Sequence, residues 1–142
     1  MHLDVETLET TFDLVAPRGD ELMDIFYARL FAAAPSVKPL FADTDLRRQK
    51  AMLLSALVLV RKSLRDTDAM VPTLRELGAR HVGYGAKPEH YVVVGEVLIA
   101  SLAEIAGEAW RPEHELAWAA AFAVIADAML SGAREAELDI AA

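Results

Sequence analysis

The chain has 142 residues, of which 54 % are hydrophobic and 25 % charged, with 7 Gly, 6 Pro, no Cys and a formal net charge of −8. Without cysteine there can be no disulfide, thiolate nucleophile, iron–sulfur cluster or zinc finger, so a metal must sit on histidine, on carboxylate or inside a cofactor. The acidic balance argues against nucleic acid or an anionic membrane as partner, since both need a basic patch, and the composition is that of one folded domain over 1–142 rather than a disordered chain.

Apolar residues recur at three- and four-residue intervals, and no segment alternates as a strand would, so the predicted fold class is all-α. A first helix is expected from Asp4 to Ala16, with Val5, Leu8, Phe12 and Val15 on one face and Pro17-Arg18-Gly19 at its end. A second begins near Asp20, expected as its cap, and carries Leu22, Met23, Phe26, Tyr27, Leu30 and Phe31 before Pro35. From Pro35 to Leu46 the chain reads as irregular, although Leu40 and Phe41 call for burial. A third helix spans Leu46 to Leu64 along the stripe Leu53, Ala56, Leu57, Val60. A shorter fourth starts at Pro72 and reaches His81 before Gly83 and Gly85. The fifth opens at Lys87-Pro88-Glu89 and closes near Ile105; the sixth opens at Pro112 and ends near Leu130, with Gly132 beyond it.

The most apolar run, Leu116 to Ile125, is shorter than the ~20 residues a membrane helix needs. The acidic amino terminus lacks the basic region and apolar stretch of a signal peptide. These features predict a cytoplasmic protein with no membrane span.

Of the four histidines, at 2, 81, 90 and 114, His81 is the one in line with an apolar helical face, four residues after Leu77 and seven after Leu74. Such a histidine is either a core residue bonded to backbone or an axial ligand to a metal or haem, and spacing leaves both open. Tyr27 and Gln49 also lie on the apolar stripes of their helices. Either they satisfy each other, or they present two donors to a small polar ligand in an apolar pocket. The patterns G-x-S-x-G, H-E-x-x-H, the phosphate loop, G-x-G-x-x-G and the EF-hand are absent, as are the paired E-x-x-H motifs of di-iron bundles. Trp110 and Trp118 read as packing residues.

Four separated blocks, in order, carry a resemblance. They are Phe26-Tyr27-Ala28-Arg29-Leu30-Phe31 with Pro35 to Phe41; Gln49 to Leu57 with Val71-Pro72-Thr73-Leu74 and Leu77-Gly78-Ala79-Arg80-His81; His90-Tyr91 to Leu98; and Ala117-Trp118 to Phe122. Over essentially its full length the chain resembles bacterial single-domain globins and the globin half of flavohaemoglobins. The resemblance implies a globin fold around a haem b pocket, with His81 as the proximal iron ligand and Tyr27 and Gln49 on the distal side, stabilising the bound ligand. It places Phe41 on the haem edge, Leu53 over the haem, and Leu77, Val82 and Val94 in the apolar wall.

In the flavohaemoglobin type a Tyr and a Glu hold the proximal histidine. Tyr91 matches that tyrosine, but the position 15 residues after Trp118 is Ala133, and the nearest carboxylate, Glu135, is turned by about 200° on a helix. The function implied is reversible binding of oxygen or another diatomic gas. The alternatives are oxidation of nitric oxide with electrons from an external reductase, and a haem-free, sensory or interaction domain of globin shape. A monomer, or a homodimer through the last two helices, is expected.

Overall fold

In the computed structural model, which describes residues 3–141, the helices run in the order α1 (Val5–Val15), α2 (Gly19–Ala33), α3 (Leu46–Ser63), α4 (Thr67–Gly83), α5 (Pro88–Ala106) and α6 (Pro112–Ala141). Short 3-10 turns join them at Ala16–Arg18, Pro35–Phe41 and Gly107–Ala109, and no strand occurs among the described residues. His2 lies outside the described residues.

The helix starts follow from side chains that take up free backbone donors. Asp4 accepts from the Thr7 N–H at 3.2 Å, and Asp45 accepts from Arg47 and Arg48 at 3.1 and 3.5 Å. Helices α5 and α6 begin alike, with proline first and a histidine two residues later. The His90 Nδ1 accepts from the Lys87 N–H at 3.0 Å, and the His114 Nδ1 from the Arg111 N–H at 2.8 Å. Two of the histidines are thereby spent on helix starts.

Four boundaries differ from the sequence expectation. Helix α2 starts at Gly19, so Asp20 sits in its first turn, where its charge favours the helix dipole, and does not cap it. The segment Pro35–Phe41 is an ordered 3-10 helix with Val37 buried; Phe41 is half-buried, while Leu40 stays 41 % exposed. Helix α4 begins at Thr67, five residues ahead of Pro72, because Met70, 2 % exposed, anchors that earlier turn in the core beside Leu74. The turn forgoes one backbone bond at the proline.

Helix α6 continues through Gly132 to Ala141, and the glycine serves contact there rather than termination. A Cβ on Gly132 would stand 1.9 Å from the carbonyl oxygen of Arg75, and one on Gly78 1.9 Å from that of Met129. Helices α4 and α6 therefore lie backbone to backbone, each giving up a side chain where the other passes.

The core is shared by all six helices. Leu8, Phe12 and Val15 of α1, Leu22, Met23, Phe26 and Leu30 of α2, and Leu98 and Leu102 of α5 are all at most 5 % exposed. Each such burial contributes about 1.5–3 kcal/mol. Helix α1 is also tied to α3 by Arg61, which reaches Glu9 at 3.2 Å and Asp13 at 2.9 Å, and by Arg65 on Glu9 at 2.6 Å. Among the described helices α6 is long and apolar enough, by length and composition, to cross a membrane, so the short apolar run expected there is part of a longer one; in the fold it packs on α4, α5 and α1.

Candidate functional site

Tyr27 and Gln49 meet between α2 and α3. Tyr27 is 3 % exposed, and its ring is boxed by aromatic edges: Phe26 at 5.0 Å, Phe41 at 5.9 Å and Phe31 at 6.0 Å between centroids. Phe31 and Phe41 in turn meet edge on at 5.5 Å. The 3-10 segment after α2 thus returns Phe41 onto the ring four residues behind Phe31. Gln49 stands in the first turn of α3, with its N–H on the Asp45 carbonyl at 3.0 Å, and its side chain lies near enough to the Tyr27 phenol to influence its ionisation. Burial pushes the phenol above its ordinary range, partly opposed by Gln49, so the hydroxyl stays protonated and able to donate.

His81 stands in the last full turn of α4. Its Nδ1 lies 2.7 Å from the carbonyl oxygen of Leu77, so Nδ1 carries the proton and donates, leaving Nε2 as a free lone pair. Burial lowers the imidazole below its usual range; the Leu77 bond opposes this, and the neighbouring Arg80 charge adds to it. The ring is therefore neutral at physiological pH, which is the form that ligates metals.

The histidine is also held through its main chain. Its carbonyl accepts from the Tyr84 and Ala86 N–H groups, each at 3.1 Å, and this cap is closed by Gly85 at φ +87°. The Tyr84 ring meets the imidazole edge on at 5.4 Å. Sequence reading did not single out Tyr84, though its place three residues after His81 was the available signal.

Leu53, Leu77 and Val94 are partly buried against the core, and Val82 is half-buried. Tyr91 packs its ring against the core while its Oη is enclosed with no hydrogen-bond partner among the described residues; the Nε1 of Trp118 is likewise enclosed and unpaired. Glu135 is engaged elsewhere, paired with Arg75 of α4. Tyr27, Phe41 and Gln49 are thus brought into one cluster, and His81 and Leu77 are joined by a bond.

One inward imidazole with a free nitrogen can supply one axial bond, which suits a metal whose other ligands come with its macrocycle. The class these features define is an all-α protein with a polar pair in an aromatic cluster and a neutral, oriented histidine. The chain belongs to the globin family, whose profile matches residues 24–129.

Among its relatives, the flavohaemoprotein of Bacillus subtilis is 28 % identical over 128 residues, covering 89 % of this chain and 32 % of that one. That of Bacillus thuringiensis subsp. konkukian is 32 % identical over 130 residues, with the same coverage. The chain spans about a third of the length of these relatives. A bacterial globin from Campylobacter jejuni superposes with a TM-score of 0.80 at 22 % identity, covering 92 % of this chain and 94 % of that one. An engineered carbene transferase, built on a Rhodothermus marinus protein assigned as a nitric oxide dioxygenase, gives 0.87 at 20 % identity, covering 97 % and 96 %. Both share the fold.

Proposed function

We propose that this chain is a cytoplasmic haem b protein that binds oxygen, or another diatomic gas, reversibly, with His81 as the axial ligand. The observation that carries the reading is the 2.7 Å contact between His81 Nδ1 and the Leu77 carbonyl, which fixes the tautomer and leaves Nε2 to bind iron. Flavohaemoprotein relatives support the choice of cofactor. When bound, haem would supply an iron able to take a diatomic gas, and His81 is the residue that would hold it.

The remaining work falls to the chain. The Tyr27 hydroxyl, kept protonated by burial, donates to a partly negative ligand, with the Gln49 amide beside it as a second donor. Phe41, Leu53, Leu77, Val82 and Val94, all half-buried, would form the apolar wall that the family resemblance implies, and its low dielectric would strengthen each such bond. Tyr91, which matches the family's tyrosine, would stand on the proximal side of this wall. Turnover of nitric oxide would draw electrons from a reductase.

The test is the absorption spectrum of protein expressed with haem supplied. A strong band near ~400 nm is expected of a haem protein. In His81→Ala the histidine-ligated ferrous spectrum should be lost and then regained on adding imidazole. A colourless wild-type protein of native helicity would overturn the reading in favour of a haem-free interaction domain.

A further inference from the structure

From Leu46 to Arg65 the chain carries six cations, Arg47, Arg48, Lys50, Arg61, Lys62 and Arg65, and no acidic residue. Three of the six are spent on neighbouring helices: Lys50 on Asp24, Arg61 on Glu9 and Asp13, and Arg65 on Glu9. The side chains of Arg48 and Lys62 are exposed and make no hydrogen bond or ion pair among the described residues. Between them, at steps of four, three, four and three residues, come Met52, Ser55 and Leu59, so the five share one face of α3. Met52 is 51 % and Leu59 39 % exposed, on the side of the helix turned from the buried Leu57 and Val60.

Helix α6 holds a face of the same length and opposite sign. Glu113, Leu116, Ala120, Ala123 and Asp127 follow at steps of three, four, three and four, and all five are exposed, Leu116 by 73 %. Its two carboxylates are also without a partner among the described residues. Of the most apolar 18-residue stretch of α6 only 33 % is buried, so α4, α5 and α1 leave much of its apolar surface uncovered. Each face extends over about 21 Å of helix. Within one chain both are open to solvent, so neither covers the other.

We infer that the α3 face of one copy docks on the α6 face of a second copy, and that the reciprocal contact about a two-fold axis closes a homodimer. Arg48 and Lys62 meet Glu113 and Asp127 at the two ends, while Met52 and Leu59 lie along Leu116, Ala120 and Ala123. The charges match whichever way the helices run, since each face carries one sign at both ends. The net charge of −8 on each copy opposes approach from afar, but screening over ~8 Å in physiological salt leaves the local pairs to decide contact. Helix α5 takes no part, so this contact differs from one through the last two helices, and it does not rest on the haem reading.

The experiment is sedimentation velocity of the full chain over a wide range of concentration, at low and high salt, with circular dichroism confirming the fold of each variant. The mass is expected to rise from one chain to two with concentration, and less so at high salt. Arg48→Glu and Asp127→Lys should each weaken association about tenfold or more, as like charges then face each other. Met52→Ser and Leu59→Ser should weaken it as well. Reversing all four end charges in one chain, Arg48→Glu, Lys62→Glu, Glu113→Lys and Asp127→Lys, should restore the dimer. Val92→Ser, at an exposed position on α5, should leave it unchanged.

A chain that stays monomeric throughout would overturn the inference, as would assemblies growing beyond two chains. So would a dimer that ignores the single reversals, one that the fourfold reversal fails to restore with native helicity kept, or one that Val92→Ser dissolves. The same measurements hold with or without haem, so their failure is separable from that of the haem reading.

Discussion

Gly78 of α4 and Gly132 of α6 each face a main-chain carbonyl of the opposite helix, Gly78 that of Met129 and Gly132 that of Arg75, so the two helices clasp each other at two points. Gly78 is three residues before His81, and the clasp sets how far α4 stands from α6 just below the histidine.

Gly78→Ala and Gly132→Ala should each destabilise the protein. Helix propensity alone favours alanine by about 1 kcal/mol. The added methyl, however, would meet backbone at 1.9 Å in both cases, and backbone cannot swing aside as a flexible side chain can. Overpacking of this kind costs about 1–3 kcal/mol or more and should exceed the propensity gain. Urea unfolding of the two variants decides the sign; a rise in midpoint would show that the helices separate freely.

Tyr27→Phe should speed oxygen release from haem-loaded protein by about ten- to a hundredfold, the equivalent of one hydrogen bond to a partly charged acceptor. Stopped-flow displacement by carbon monoxide measures it. An unchanged rate would remove Tyr27 from the ligand's surroundings and leave its place beside Gln49 as a purely structural one.

The same phenol predicts an alkaline limit. Its folded value lies above the ordinary tyrosine value of 10.0, so the folded state keeps its proton where the unfolded chain begins to lose it. Stability from this group is fully present below pH 10 and is lost as the pH climbs through the raised value. Unfolding free energies across pH 9 to 11 should fall more steeply in wild type than in Tyr27→Phe, with Tyr91, also raised by burial, supplying part of the remaining slope. Parallel curves would show that the phenol ionises alike in both states.

Asp45→Ala should cost about 1 kcal/mol, since two backbone donors at the start of α3 lose their acceptor. Gln49 lies one turn further on, so the loss should also loosen its place beside Tyr27. Thermal unfolding reads the first effect and the Tyr27 fluorescence environment the second. Unaltered stability would show that water replaces the aspartate without penalty.

The helices were legible from apolar spacing because each buries one face: Leu8, Phe12 and Val15, or Leu98 and Leu102, fall into phase on spacing alone. What spacing could not show was the meaning of the breakers. Pro72 and Gly132 read as a start and a stop, yet one is carried inside a helix anchored by Met70 and the other is a contact surface for Arg75. Local signals give the cost of such a residue but not the tertiary contact that offsets it.

At the candidate site, His81 could be placed on an inward face and its bond to Leu77 follows from four-residue spacing. Tyr27 and Gln49 could each be placed on an inward face, but periodicity left two readings open, that they satisfy each other or that both face a ligand, and the family resemblance implied only that both lie on the distal side. The enclosed hydroxyl of Tyr91, without a partner among the described residues, left no mark in the sequence, since an orphan is defined by what fails to approach it.

The histidine's two attachments have a mechanical meaning. Its ring leans on the Leu77 carbonyl one turn back, while its own carbonyl closes the cap that runs to Ala86. Aiming the imidazole and keeping the end of α4 wound are consequently a single degree of freedom. If that end frays, both the ring's anchor and the helix's stop are released together, so whatever binds at Nε2 should slow hydrogen exchange at the amides of Tyr84, Gly85 and Ala86, and a stiffer Gly83–Gly85 corner should tighten binding without touching the ligand.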